Sequence, residues 1–512
     1  MRSSRTPVET SFKISVAIAV QALDGCIPRG NGLLVKLWIL AALLLAAVAA
    51  LGTRWYARRS GRRALLRFRA RMSRFKFATR KSVRDRLLND PAIALAVAGH
   101  AAETGMPEAA AWARVEEYMR EIVPFFNVVA YYQFGYRLSE KLLKLFYKVT
   151  VEQEDRRALD GLPKDSVLVY LMNHRSNADY VLVSYALAGR VAISYAVGEW
   201  ARAFPLETIF KAFGSYFVRR KYREPLYHAV LERYVQLITR EGVTQGIFLE
   251  GGLTRDGMLK SPKIGLLDYV LGIGRDAAYQ SRMFIVPVAV NYDRVLEDRS
   301  LLRELASREG RSRPSRFVQL GEVMSYLWWN LTRLLTRRWK RYGRAAVMVG
   351  APLPLASWFT ENPDLFELPR PERLARVQSL SDSVMSRIGL LVPVTPVPLA
   401  CAAIQSLDRD FIPKAALLDR MAEMRDTLVE LNARVVRHDG GIEETFDRAW
   451  RMLRMRHVLV ETGEGFALLP HQRELVSYYA NSIAHLLGPF EAAVRARDTL
   501  PMAAVSASVS VL

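Results

Sequence analysis

Ser166 to Tyr180 reads SVLVYLM followed by NHRSNADY, an apolar run that passes directly into a polar octapeptide. The run Val167–Met172 has the length and β-branched content of a strand, and it ends where His174 and Asp179 stand five positions apart. Similar short runs recur downstream: VAISYAV, GIFLE, MFIVPVAV and AAVMVG. Between them lie helical stretches such as LYHAVLERYVQLITREG. Strands alternating with helices predict an α/β domain with a largely parallel sheet. In such sheets ligands bind outside the carboxyl ends of the strands, which is where the octapeptide falls.

Outward from this core the texture changes. Residues 91–150 are helical in pattern, with AWARVEEYMREIVPFF and YRLSEKLLKLFYKV repeating apolar residues at three and four. Leu33 to Gly52 is a run of twenty residues with one charge, Lys36, long enough to span roughly 30 Å as a helix. Arginines 54, 58, 59, 62, 63, 67, 69, 71 and 74 follow it, which places the long C-terminal part in the cytoplasm. A signal peptide is the competing reading; its leading region would be unusually long and the basic cluster lies on the wrong side. Glu322–Tyr342, rich in Trp and Arg, suits either a helix at a lipid interface or one packed on the core. Residues 388–404 lack charge, but Pro393, Pro396 and Pro398 argue against a spanning helix. Beyond about 405 the pattern is helical again.

Composition bounds the partners. The 512 residues carry a net charge of +22, with 51% hydrophobic and 10% aromatic residues, enough for a packed core. The excess charge points to polyanions: nucleic acid, an anionic membrane or phosphorylated ligands. Cys26 and Cys401 are the only cysteines, so there is no disulfide framework, and the scattered histidines form no metal-ligand cluster.

The octapeptide has a definite chemical use. A neutral imidazole oriented by a carboxylate takes the proton of a hydroxyl as that hydroxyl attacks an acyl carbonyl. With 7 histidines, a chance H-x4-D is expected about one time in three, so the spacing alone leaves the question open. Three further stretches bear on it. GSYFVRR (Gly214–Arg220) carries paired arginines suited to clamping a phosphate, though singly it reads as a solvated basic edge. FLEGGLTRDG (Phe248–Gly257) brings two glycines and Arg255 to a strand's end, for an anion or for an ordinary tight turn. IVPVAVNY (Ile285–Tyr292) is a strand bending at Pro287 beside an apolar tail, or a plain core strand.

In their order and spacing these four blocks resemble the glycerolipid acyltransferase superfamily, and within it most closely the glycerol-3-phosphate acyltransferase branch. The resemblance extends over roughly residues 105–490, taking in Pro262-Lys263, GRAAVMVGAPLPL (Gly343–Leu355) and, more weakly, LVSYYANSIAHLL (Leu475–Leu487). It implies an acyltransferase-type mixed, largely parallel sheet over 156–375. The flanking divisions are a tail (1–32) expected to be disordered, a transmembrane helix (33–52), a basic juxtamembrane segment (53–90), a helical region (91–155) and a helical C-terminal region (376–512). The resemblance also implies His174 as general base, Asp179 as its orienter, and Arg219, Arg220 and Arg255 as binders of the acceptor phosphate. Glu250, Gly251, Gly252, Thr254 and Lys263 would form the acceptor turn, and Pro287 would lie near the acyl donor. One departure stands out: the branch has Arg-Ser after E-G-G, where this chain has Leu253-Thr254.

The implied reaction transfers a fatty acyl group from acyl-CoA or acyl carrier protein to the 1-hydroxyl of glycerol 3-phosphate, with no metal or resident cofactor. It would run at the inner membrane, in contact with anionic lipids and without nucleic acid. Dihydroxyacetone phosphate or a lysophospholipid is the alternative acceptor. A non-catalytic, membrane-anchored protein binding anionic lipid is the alternative of another class.

Overall fold

The computed structural model of the chain describes residues 80–124, 137–187, 193–198, 206–212, 214–219, 222–308, 341–436 and 440–488. The segment 33–52 read as membrane-spanning lies outside them, as do 1–32, most of the basic flank, and residues 322–340 of the Trp- and Arg-rich segment. Among the described residues no helix is long and apolar enough to cross a membrane.

The chain begins with helices α1 (Arg80–Leu88), α2 (Pro91–Thr104), α3 (Glu108–Ile122) and α4 (Arg137–Phe146). The start of α2 is set by Asp90, whose carboxylate accepts from Ala92 N, followed by Pro91 in the first turn; Gly105 at φ +68° ends it. Then come β1 (Lys148–Gln153), α5 (Arg156–Gly161), β2 (Val167–Met172), α6 (Asp179–Ala186), β3 (Ser194–Gly198), α7 (Leu206–Ala212) and β4 (Tyr216–Val218). Next are α8 (Pro225–Arg240), β5 (Gln245–Phe248), α9 (Gly265–Leu271), α10 (Ala277–Gln280), β6 (Met283–Tyr292) and α11 (Asp298–Arg308). Beyond 340 lie β7 (Arg344–Val349), β8 (Leu353–Pro354), α12 (Ala356–Glu361), α13 (Arg370–Leu391) and α14 (Pro396–Leu407). The rest is β9 (Phe411–Pro413), α15 (Lys414–Glu430), α16 (Ile442–Met455), β10 (Leu459–Thr462), β11 (Gly465–Leu468) and α17 (Arg473–Ala480).

Eight strands form one mixed sheet in the order β1-β7-β6-β2-β5-β3-β4, with β8 also on β6. β6, β2, β5, β3 and β4 run parallel, and β7 turns antiparallel to β6. From β2 the chain leaves for β3 on one side; it later places β5 and β6 on either flank of β2. The carboxyl end of β2 is therefore the point where the winding changes direction, the position at which such sheets bind ligands.

β2 is buried along its whole length because both faces are covered. Its odd residues, Val167, Val169 and Leu171, enter one core with α1, α2, α3, α8 and α13. Leu168, Tyr170 and Met172 enter the other, with α6 and the C-terminal helices. The period of two thus divides one apolar run between two cores.

The structure departs from the helical reading at two places. Residues 148–153, partly read as helix, form the edge strand β1; its Val149-Thr150-Val151 favours extended backbone. The C-terminal region, read as helical, also contains the antiparallel sheet β10-β11-β9. The uncharged stretch 388–404 crosses nothing: it is the end of α13 and the start of α14. Burial on every side of Pro396–Ile404 accounts for its composition, and Pro396 and Pro398 sit in the first turn, where helical N–H groups have no intrahelical partner.

Candidate active site

The octapeptide is fixed before its chemistry begins. Asn173 continues the β2–β6 ladder with its side chain, donating from Nδ2 to Val290 O (3.0 Å) and accepting at Oδ1 from Val290 N (2.8 Å). The next residue, His174, donates its backbone N–H to Glu250 Oε1 at 2.7 Å, tying β2's end to the turn after β5. A short turn then starts α6, with Asp179 in its first turn.

Asp179 is saturated with donors. Its Oδ2 accepts from His174 Nδ1 (2.9 Å), Arg175 N (2.7 Å) and Ser176 N (3.0 Å), and Oδ1 accepts from the Tyr292 hydroxyl (2.5 Å). Four donors on one carboxylate stop it rotating. An ionised carboxylate can only accept, so Nδ1 carries the imidazole hydrogen and the ring's lone pair lies on Nε2. The His174 ring stacks on Phe248 at 3.9 Å and meets the edge of Tyr180 at 5.5 Å. With His174 and Asp179 only 1% and 0% exposed, the pair works in a medium of low dielectric, where its interaction is strong.

The turn after β5 supports this pair. Glu250 accepts from His174 N and, at 3.3 Å, from Lys260 N. Burial pushes its carboxyl up to about 7, against the opposing pull of Arg175 and of the two N–H groups. Gly251 has φ +66°, and a Cβ there would stand 2.9 Å from Lys263 Cγ, so the turn needs glycine for two reasons. Thr254 N donates to His174 O at 3.2 Å, and the Thr254 hydroxyl stands 2.8 Å from both Asp256 Oδ1 and Met258 O. That hydroxyl is engaged within its own loop. Leu253, where the resemblance has arginine, packs against the apolar core.

His174, Asp179, Glu250, Gly251, Gly252 and Thr254 thus converge at the carboxyl ends of β2 and β5, with Lys263 lying over Gly251. Pro287 is buried in β6, its backbone paired in register with Leu171. On β6's other side it stands between the residues that pair with β8 and those that pair with β7, so its missing N–H breaks no ladder. Two of the arginines are differently disposed. Arg219 lies at the end of β4, three strands from β2 or roughly 14 Å away at ~4.8 Å per strand. Its guanidinium is bound by Glu121 of α3, with Nε at 2.9 and 3.0 Å from the two carboxylate oxygens, and is ringed by Tyr118, Tyr222 and Tyr227. Arg255 donates from Nη2 to Glu304 at 2.8 Å. Arg220 lies outside the described residues.

Several contributors have no mark in the sequence pattern. Arg175 is buried and donates from Nη1 to Gly257 O and from Nη2 to Ser482 O (2.9 Å), joining the octapeptide to the third block and to the segment after α17. Glu297 accepts from Ser176 Oγ (2.7 Å) and Asn177 N (3.0 Å), and burial raises its carboxyl above the usual range. Tyr292 and Arg175 stand inside blocks that the motifs pick out, but spacing says nothing of what they touch. Among the described residues no group of three His, Cys, Asp or Glu side chains could hold a metal ion.

Residues 148–291, which span β1 to β6 and hold the His–Asp pair, match the acyltransferase family model. Residues 327–496 match the glycerol-3-phosphate acyltransferase C-terminal region. Over these residues the chain is therefore similar to an acyltransferase domain, and more particularly to one followed by the C-terminal region of the glycerol-3-phosphate acyltransferases. It is similar to proteins named glycerol-3-phosphate acyltransferase from Aeromonas hydrophila (28% identical over 435 residues) and Actinobacillus succinogenes (27% over 434). Each match covers 80% of this chain and 50% of the relative, so the chain spans about half the length of the curated relatives it matches. Among solved structures, the 1-acyl-sn-glycerophosphate (LPA) acyltransferase from Thermotoga maritima matches 51% of this chain and 80% of that chain, at 17% identity and a TM-score of 0.30.

Proposed function

We propose that the chain is a glycerol-3-phosphate 1-O-acyltransferase, using acyl-CoA or acyl carrier protein thioester as donor. The observation that carries this reading is the His174 Nδ1–Asp179 Oδ2 contact at 2.9 Å, at the carboxyl end of β2. The names of the relatives support the acceptor. Nε2 of His174 takes the proton of the 1-hydroxyl as its oxygen attacks the thioester carbonyl. The tetrahedral intermediate then collapses, the C–S bond breaks, and the thiolate takes the proton from the imidazolium. The products are 1-acyl-glycerol 3-phosphate and the free thiol. Asp179 stabilises the imidazolium during the exchange without itself being protonated.

The acceptor phosphate falls to Arg219, Arg220 and Arg255, with the turn at Glu250–Thr254 and Lys263 beside it, and Pro287 lies toward the donor. At Arg219 the phosphate must replace Glu121. The run 33–52 and its arginines support a membrane-anchored enzyme with a cytoplasmic site, and the positive charge supports contact with anionic lipid.

The test is acyl transfer from labelled palmitoyl-CoA by the purified full chain, with glycerol 3-phosphate, dihydroxyacetone phosphate and lysophosphatidate as acceptors. The expected result is selective use of glycerol 3-phosphate, with His174→Ala reduced at least ~10² to 10⁴-fold. Near-normal turnover by folded His174→Ala would refute the mechanism. Preference for another acceptor would refute the substrate alone.

A further inference from the structure

We infer that Tyr292 is a positioning residue of the reaction: its hydroxyl holds the second oxygen of Asp179 and so sets the basicity and orientation of His174. The inference rests on the reading of His174 and Asp179 as the catalytic pair. Three of Asp179's donors, His174 Nδ1 and the N–H groups of Arg175 and Ser176, come from its own loop, and all three go to Oδ2. Oδ1 receives its donor from 113 residues away, at 2.5 Å, from the far end of β6. Among the described residues, that donor is the link holding the carboxylate against the sheet and not only against the octapeptide. Tyr292 is 0% exposed, and burial followed by the Asp179 charge raises its phenol well above the ordinary range. The phenol therefore stays protonated and can only be the donor to this carboxylate.

The consequence for His174 follows from charge. A hydrogen bond donated to Oδ1 stabilises the carboxylate and spreads its charge, which lowers its pull on the imidazole proton. Without it, Asp179 holds the imidazolium more tightly. That moves the acid limb of kcat/KM to higher pH. Other titratable groups facing this unit are Glu297 and Tyr147 on the Tyr292 side, Glu250 and Arg175 beside His174, and Tyr180 and Tyr478. A Tyr292→Phe change leaves all of them in place.

The experiment is the pH profile of kcat/KM for the full chain, with glycerol 3-phosphate and palmitoyl-CoA, in wild type, Tyr292→Phe and His174→Ala. For Tyr292→Phe the expected result is a kcat about tenfold lower, unchanged KM for both substrates, and an acid limb about one pH unit higher. A second variant carries 3-fluorotyrosine at 292, whose more acidic hydroxyl is the stronger donor; its acid limb should move to lower pH. That variant keeps the hydroxyl and decides the matter if Tyr292→Phe fails to fold. An unmoved acid limb in the folded variants, with His174→Ala inactive, would reduce Tyr292 to core packing and overturn the inference alone. Full activity in His174→Ala would overturn the pair and this inference with it.

Discussion

Glu250 offers a direct way to separate scaffolding from chemistry. The carboxylate is 6% exposed and its carboxyl is pushed from an ordinary 4.5 up to about 7. Between those values the native state keeps a proton that the unfolded chain has released. Stability therefore falls as pH rises from about 4.5 to about 7, and is level above. At ~1.4 kcal/mol per pH unit, the displacement amounts to about 3 kcal/mol of native-state cost at pH 8. Glu250→Gln removes the titration while keeping an acceptor for His174 N. The variant should gain about 2–3 kcal/mol relative to wild type between pH 5 and pH 8, measured by denaturant unfolding at both, and retain kcat within a few fold. Glu250→Ala instead orphans two N–H groups, those of His174 and Lys260, at about 1–3 kcal/mol each, and should lose both stability and turnover. The reasoning fails if folded Glu250→Gln has the same pH dependence of stability as wild type. It also fails if that variant is fully stable yet reduced a thousandfold in kcat, because the charge would then act in the chemistry.

Three other outcomes are expected. Gly257→Ala should be severely destabilising, by about 4 kcal/mol or more on thermal unfolding, because φ is +83° and a Cβ would stand 1.8 Å from Tyr478 O. Glu121→Gln should lower the KM for glycerol 3-phosphate severalfold and leave the donor KM alone, because it weakens the internal competitor for Arg219; a lowered melting point with unchanged KM would make Arg219 purely a scaffold. Asp298→Asn should cost about 3–5 kcal/mol by stranding buried Arg456, whereas joint replacement of Asp298 and Arg456 by Leu and Met should recover much of it. Burial pushes Asp298 up, but Arg456 and Tyr479 hold it below the usual carboxylate range, so its contribution is present at neutral pH and lost on acidification below about 4.

What the sequence makes legible follows from distance along the chain. β2 and β6 are covered on both faces, so their apolar runs announce strands without any periodicity. His174 and Asp179 are five apart and meet across one turn, so a spacing motif captures them. β1 escapes notice because amphipathic α4 runs into it with a single residue between, and the apolar spacing of three and four carries past the helix end. Long-range pairings leave no local trace: Tyr292 reaches Asp179 across 113 residues, and Arg219 reaches Glu121 across 98. The second pairing changes what the motif says of Arg219, since a guanidinium read as waiting for phosphate is already bound to a carboxylate. Leu253 is the converse case, where the departure from the family pattern is filled by core packing.

Among the described residues, the C-terminal region reaches the site through hydrogen bonds and packing. Arg175 carries a buried charge whose guanidinium hydrogen bonds end on two backbone carbonyls, Gly257 and Ser482, so removing the segment after α17 would leave Nη2 unbonded beside an Nε that already has no partner. Asn481 donates to Asp256 O at 2.8 Å, and the Tyr478 backbone presses on Gly257, so the third block's loop is clamped from the same side. Asp293, at the end of β6, accepts from Val397 N in the first turn of α14 and from Arg344 N, welding sheet to helix one residue from Tyr292. Tyr292 and Arg175 are two of the residues through which the wider fold reaches the His–Asp pair, and the C-terminal region braces both. An imidazole and carboxylate held this way need little reorganisation when charge develops on the ring, and in a buried site that saving bears directly on rate. The sheet supplies the His–Asp pair, and the region behind it helps hold that pair in place.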